Sequence, residues 1–296
     1  MQPKPFFSVI IPTYHRNALL AKCLDCLTPG RQMLAPEQYE VIVTDDGSQT
    51  TAAQMVREHY PWAQWVSGPR TGNGANRNNG AKYAKGEWLA FTDDDCLPDP
   101  QWLKAYSEAI AANPTSLVFE GRTYVDRPKY SLAEKSPVNE TGGYLWSCNF
   151  AIRQDLFESL AGFDERYRYS FADVDLGFRL RKLKYEFPFI KAASVCHPWR
   201  LQSGSQDGWK KPNIYRESIF TYLSLHPTEL KRLNTPYYLK QTLRRLVRET
   251  IPGIIKFRGR GIKEAFLDHI EALKMAFLIQ DFRKQINMMA SKLDDN

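Results

Sequence analysis

Three short apolar segments, residues 6–11, 40–44 and 87–92, run without polar alternation and are rich in Val, Ile and aromatic residues. A strand with one face in water alternates in polarity at every second residue, so unbroken runs of this length suit parallel strands buried on both faces. Helical patterns lie between them. Residues 17–27 place Leu19, Leu20, Cys23 and Leu27 at helical spacing, and further helices are predicted over 50–59 and 76–84. Strands alternating with helices predict a βαβ sheet. Each apolar run stops in a polar cluster, PTYHR, DDGS and DDDC. Ligands of open α/β sheets bind beyond the carboxyl ends of the strands, so the three clusters are expected to share one crevice.

Beyond this core, residues 97–113 read as a helix stopped by Asn113 and Pro114, and 116–125 as a strand. Residues 127–143, polar with two prolines and a glycine pair, read as a loop. Helices over 155–160 and 173–184 flank a GFDE turn, residues 193–195 look strand-like, and 201–213 are turn-rich. The remainder is helical and amphipathic over 215–226, 237–249 and 263–291. A chain of 296 residues accommodates one large α/β domain with an appendage, or two domains. Charge separates the parts. Residues 231–296 carry 14 Lys+Arg against 7 Asp+Glu, while residues 1–230 carry 26 of each, so the net +7 lies in a basic tail.

Five cysteines, an odd number without loop spacing, argue against a disulfide framework. The N-terminal apolar run is too short for a signal peptide, and no uninterrupted apolar stretch reaches the roughly 18 residues of a membrane span. A cytoplasmic protein is expected. No zinc-finger spacing or aromatic RNA-binding motif accompanies the basic tail, which argues against a nucleic-acid partner.

Three clusters carry chemistry. Asp93, Asp94 and Asp95 are adjacent carboxylates that repel one another unless a cation sits among them; Mg²⁺ or Mn²⁺ bridged to a phosphate is one reading, and an acidic helix N-terminus is the other. Asp45 and Asp46 follow a buried strand, where a carboxylate can accept a hydrogen bond from a base or a ribose, or Asp-Gly-Ser can simply turn the chain. In GNGANRNNGA the glycines permit close backbone approach and Arg77 can pair with a phosphate, yet neither the GxGxxG fingerprint nor the P-loop is complete.

Together SVIIPTYHR, VIVTDDGS, GNGANRNNGA and FTDDDC, followed by WSCNFAIRQDLF, GFDERY, FADVDLGFRL and VCHPWR, resemble the family 2 glycosyltransferases of the GT-A fold over about residues 6–200. The resemblance implies a Rossmann-like mixed sheet flanked by helices, with a catalytic domain over 1–205 (nucleotide-sugar half 1–115, acceptor half 116–205) and a helical basic extension over 206–296. It implies a metal-dependent inverting transfer from a nucleoside-diphosphate sugar, most commonly of uridine, to a hydroxyl of a saccharide or lipid-linked acceptor. Pro12, Thr13, Tyr14, Arg16, Asp45 and Asp46 would hold the nucleoside, and Arg77 the diphosphate or ribose. Asp93 would face ribose and sugar and Asp95 the Mn²⁺ or Mg²⁺ ion, with Asp94 as the rival in a triple whose register is ambiguous. His197 matches a further metal ligand.

The family's catalytic base falls on Asp173, with Asp175 as the alternative; Ala172 stands where the family has Glu. Trp146, Asn149, Gly162, Phe163, Asp164 and Glu165 lie where the family builds its acceptor wall. The tail sequence LRRLVRETIPGIIKFRGRGIK, residues 243–263, interleaves cations with apolar residues. It suits an anionic membrane surface, which would make the enzyme peripheral to the inner face of a membrane, or else a solvated helical extension or dimer contact. Nothing in the sequence specifies an oligomeric state. The competing class is a non-catalytic nucleotide- or polyanion-binding module, motivated by Ala172 and the basic tail.

Overall fold

The computed structural model describes residues 4–201 and 212–294. They form two compact units, one comprising Met1–Asp126 with Ser136–Pro198, the other Arg127–Lys135 with Trp199–Asn296.

In the first unit the chain runs β1 (Phe7–Thr13), α1 (Asn17–Leu27), β2 (Tyr39–Asp45), α2 (Ala53–His59), β3 (Gln64–Ser67), α3 (Asn73–Ala81), β4 (Trp88–Thr92), β5 (Leu97–Pro98), α4 (Trp102–Ala112) and β6 (Val118–Tyr124). A short strand β7 (Glu134–Lys135) belongs to the second unit. The first then resumes with β8 (Asn149–Arg153), α5 (Gln154–Ser159), α6 (Ala172–Lys182) and β9 (Phe189–Cys196). Its eight strands order as β3-β2-β1-β4-β8-β6-β9-β5. The first four are mutually parallel, β8 is antiparallel to both neighbours, and β6 and β9 are parallel to each other. This is the mixed α/β sheet expected from the sequence.

The unbroken apolar runs are buried on both faces. Val9, Ile11, Val41 and Val43 pack under Leu20 and Leu24 of α1, while Phe91, Phe150, Phe157 and Phe163 cluster at ring distances of 4.8 to 6.2 Å. Register sets the site. Thr13 pairs with Asp45 and Ile10 with Phe91, so PTYHR, DDGS and DDDC leave the sheet side by side.

α3 is poor in helix formers and is held by packing instead. A Cβ at Gly80 would lie 2.7 Å from Ile10 Cγ2 and 3.1 Å from Thr44 Cγ2, so the helix sits directly on the ends of β1 and β2. Gly72, at φ +133, opens it, where a Cβ would meet the Arg168 carbonyl oxygen at 2.4 Å.

Three expectations need correction. Residues 97–113 are not one helix: Leu97–Pro98 pairs antiparallel with β9, and α4 begins at Trp102. Proline lacks the donor a helix interior requires, and Pro98 with Pro100 delays the helix by a turn. The edge strand β3 escaped the periodicity because only Val66 of its four residues is buried. Within 127–143, β7 pairs antiparallel with β10 (Arg200–Leu201), so this stretch is not wholly loop.

The second unit contains that pair and the C-terminal helices α7 (Pro212–Leu225), α8 (Thr235–Arg245), α9 (Ile251–Lys256) and α10 (Ile262–Asp294). The turn-rich stretch predicted at 201–213 falls mostly outside the described residues. Asn234 caps α8, its Oδ1 accepting the Tyr237 N–H at 3.0 Å. A π-helical turn, Leu246–Thr250, carries α8 into α9, and α10 packs along α8. The middle segment joins this unit because Leu132 N–H donates to the Arg260 carbonyl at 3.0 Å and Lys135 pairs with Asp268. No helix among the described residues is long and apolar enough to cross a membrane.

Candidate active site

The three aspartates after β4 face three different partners. Asp93 pairs with the Arg77 guanidinium of α3. Asp94 turns back to β1, where it accepts from Thr13 Oγ1 at 2.8 Å and from Arg16 Nη1 at 3.3 Å. Asp95 lies 3.0 Å from the same Arg16 nitrogen and 3.4 Å from His197 Nε2. Consecutive side chains beyond a strand end splay apart, and chain crossings from β1, α3 and β9 supply the partners. Asp95, rather than Asp94, is therefore the acid beside His197.

His197 is buried, which pushes its imidazole below the usual histidine range and favours the neutral, metal-competent form. Ser136 Oγ sits 3.1 Å from Nδ1, and Nε2 faces Asp95. Cys96 Sγ completes a triad with Asp95 and His197 whose ligand atoms all lie within 4.8 Å of one another. Burial holds that thiol well above its ordinary pKa, so it is a poor ligand beside the other two. A carboxylate oxygen with an imidazole nitrogen fits Mn²⁺; Mg²⁺, which prefers an all-oxygen shell, is the weaker match.

Asp173 is half-buried at the start of α6, and its carboxylate accepts the N–H of Ser147 at 3.2 Å and of Val174 at 2.9 Å. Burial raises its pKa; the Ser147 N–H and the Arg77 charge oppose this, and the Asp93 charge reinforces it. Arg77 thus serves two carboxylates. The residue preceding α6, Phe171, takes a left-handed φ of 73, and Ala172 packs toward Gly74 of α3. Asp175 is different. It is buried, accepts from Arg179 Nε at 2.7 Å, and Arg179 also ties down the Leu160 and Gly162 carbonyls at 2.7 Å each. It is a structural ion pair that fixes the GFDE turn, which removes it as the alternative base.

The DDGS loop divides likewise. Both oxygens of Asp45 are occupied, Oδ1 by Gly47 N–H at 2.8 Å and Oδ2 by Ala52 N–H at 2.6 Å and Trp65 Nε1 at 3.2 Å. Asp45, expected near the nucleoside, is buried with both oxygens committed to folding the loop. Asp46 accepts from Arg70 N–H at 2.8 Å, and its carboxyl is raised chiefly by burial. Pro12 is part-buried in β1 and Thr13 is occupied by Asp94, whereas Tyr14 is 58% exposed with its ring edge-on to His15 at 4.2 Å.

Two expected acceptor residues lie in the interior. Asn149 uses all four of its hydrogen-bonding positions: Oδ1 accepts from Trp102 Nε1 and Tyr106 OH, both at 2.8 Å, and Nδ2 donates to the carbonyls of Arg122 and Ala193. Phe163 belongs to the aromatic core. Both are buried, whereas the resemblance placed them on an acceptor wall. Trp146 is half-buried beside exposed Tyr144, and Asp164 is held below the usual carboxylate range by Arg166, with contacts from 2.5 to 3.1 Å.

The sequence reading missed Glu120 and the asparagines of α3. Glu120 is buried in β6 and accepts the N–H groups of Gly143, Tyr144 and Leu145, which fixes the loop leading to Trp146. A carboxylate inside an apolar strand was the available signal. Asn76, Asn78 and Asn79 bridge α3 to Thr44, Phe163 and Ser67, and the run of asparagines, poor helix formers, was the available signal.

A mixed sheet of this topology, with acids gathered at its parallel strand ends, is the arrangement expected of the GT-A fold. The family model described as Glycosyl transferase family 2 matches residues 8–166, and the chain belongs to that family. Glycosyltransferase AglE of Haloferax volcanii is 28% identical over 81% of this chain and 86% of its own length. A validoxylamine A glucosyltransferase of Streptomyces hygroscopicus is 30% identical across 60% of this chain, which spans about half (48%) of that relative. The structure of S. aureus TarS 1–349 in complex with UDP superposes with a TM-score of 0.53 at 17% identity, over 94% of this chain and 91% of that one. The protein is a glycosyltransferase, so the competing non-catalytic module falls away.

Proposed function

We propose that the protein transfers a sugar from a UDP-sugar to a hydroxyl of a saccharide or lipid-linked acceptor, with inversion at the anomeric carbon. The observation that carries this is the sorting of the acids after β4, with Asp173 at the start of α6, into two groups, Arg16–Asp94–Asp95–His197 and Arg77–Asp93–Asp173. The first suits a diphosphate and its counter-ion, the second a sugar and an attacking hydroxyl. A relative named as a glucosyltransferase and a neighbour solved with UDP support the donor class.

Asp173 takes the proton of the acceptor hydroxyl as its oxygen attacks the anomeric carbon and the bond to the diphosphate breaks. The Ser147 and Val174 N–H groups orient the carboxylate. Arg77, anchored by Asp93, sits where it can hold a phosphate or ribose oxygen. Tyr14 offers its exposed ring to the base, and Asp46 a carboxylate to the nucleoside. Asp95 and His197 would hold Mn²⁺ or Mg²⁺, which neutralises charge on the leaving diphosphate. Trp146 and Asp164 border the acceptor side. Catalysis is assigned to residues 1–205 and the helical basic extension to 206–296, although by compactness Arg127–Lys135 and Trp199–Leu201 group with the extension.

The test is nucleoside diphosphate release by the full chain across a panel of nucleotide-sugars with Mn²⁺. Release from UDP-sugars that Asp173→Asn abolishes supports the reading; equal release by that variant overturns the assignment of the base. Calorimetric titration with UDP should give tighter binding with Mn²⁺ than without, and equal affinities would refute the metal assignment.

A further inference from the structure

The second unit carries a feature that sugar transfer does not use. α8, the π-helical turn and α9 present Leu243, Val247, Ile251 and Ile255 at 62%, 55%, 49% and 79% exposure, at successive four-residue intervals. In a regular α-helix that interval drifts by roughly 40° per step. The π turn at Leu246–Thr250 takes more residues per turn and so counters part of that drift, which favours a common exposed side for the four.

Beside the end of this stripe is a cavity of about 310 Å³ lined by Lys129, Tyr130, Lys256, Phe257, Arg258 and Arg260, among others. Lys129 lies in the field of Glu249 and Glu134, whereas Lys256, Arg258 and Arg260 are exposed and make no ion pair among the described residues. The turn that presents them is built rather than loose. Arg258, Gly259 and Gly261 take φ values of 52, 75 and 76, Gly259 N–H closes on the Ile254 carbonyl at 2.9 Å, and the Arg260 carbonyl receives Leu132 N–H at 3.0 Å.

We propose that this face docks on an anionic lipid bilayer, with the apolar stripe entering the head-group boundary and the cationic cavity receiving lipid phosphates. Charge complementarity selects the occupant. Apolar side chains next to cations without counter-charges match a surface that offers both hydrocarbon and negative charge. A second copy on the same patch would set Lys256, Arg258 and Arg260 against their own equivalents, because an isologous contact is self-complementary in position.

The experiment is co-sedimentation of the full chain with vesicles of phosphatidylcholine and phosphatidylglycerol in equal parts, against vesicles of phosphatidylcholine alone. Binding is expected only to the mixed vesicles and should fall as salt is raised. Arg258→Gln and Arg260→Gln should each weaken it roughly fivefold, and Ile255→Asp should weaken it as well. Donor hydrolysis without vesicles should be unchanged in all three, which reports an intact fold and separates this test from the transfer reaction. Absence of binding to mixed vesicles, or binding indifferent to all three substitutions, overturns the proposal. So does a dimer in light scattering that Ile255→Asp dissolves, since the face would then belong to a second copy.

Discussion

At the strand ends of the sheet, Arg16 lies 3.0 Å from Asp95 and Arg77 is buried against Asp93, whereas around residues 256–260 of the helical unit the cations stand in solvent without a carboxylate among the described residues. The sheet unit spends its charges on one another, in surroundings that screen them little. Geometry and protonation there are set jointly, and the loss of one group is felt by the next. The helical unit keeps its charges for something outside, where water and salt screen them and single changes cost the fold little.

The contrast is sharpest at Asp173. Its replacement by Asn should lower kcat by about 10² to 10⁴-fold with UDP affinity kept, as measured by donor turnover and calorimetry. Stability should not fall. The raised pKa means that the ionised form is disfavoured by folding at neutral pH, so a neutral Asn relieves that cost, and urea unfolding will show it.

Two residues along the same helix, Asp175→Asn should do the reverse. It breaks a pair whose carboxylate is 1% and whose guanidinium is 23% exposed, and it should lower unfolding free energy in urea by about 3 kcal/mol. An Asp175→Asn variant that is stable yet inactive would exchange the two roles.

A third effect is a shift of pH rather than of magnitude. Asp173 acts as base only when ionised, so kcat/KM should fall as pH drops through a value above that of an ordinary aspartate. Arg77→Gln removes the cation that opposes the rise and exposes Asp173 to the full charge of Asp93, so the acid limb should move to still higher pH. A limb that stays in place would separate Arg77 from the base.

The smallest effect belongs to the other region. Arg258→Gln should change the urea midpoint by no more than about 0.5 kcal/mol and leave hydrolysis of the donor untouched. A larger loss would mean that these cations are bound into the fold after all.

Much of the sheet was legible because its signals are local. The apolar runs of β1, β2 and β4 needed only their own residues to declare burial on both faces, and α1 emerged at Asn17–Leu27 as its spacing required. β3 and β5 were not legible, since an exposed edge strand and a two-residue strand owe their form to a neighbour and not to periodicity. The tail's excess of cations could be counted, but not that its apolar residues form an exposed stripe.

Sequence alone determined that three polar clusters, two of them acidic, leave one sheet side by side, because strand polarity and crossover length follow from composition and period. It could not assign roles within them. Asp93, Asp94 and Asp95 are chemically equal neighbours, as are Asp45 and Asp46, and Asp173 and Asp175. They become different only through their partners: Arg77, Arg16 and His197, distant along the chain, sort Asp93 to Asp95, Trp65 and Arg70 sort Asp45 from Asp46, and Arg179, one turn along α6, engages Asp175 and not Asp173. Tertiary packing made that choice, because a carboxylate's chemistry depends on the charges and hydrogen-bond donors within a few ångströms of it, and those come from elsewhere in the chain.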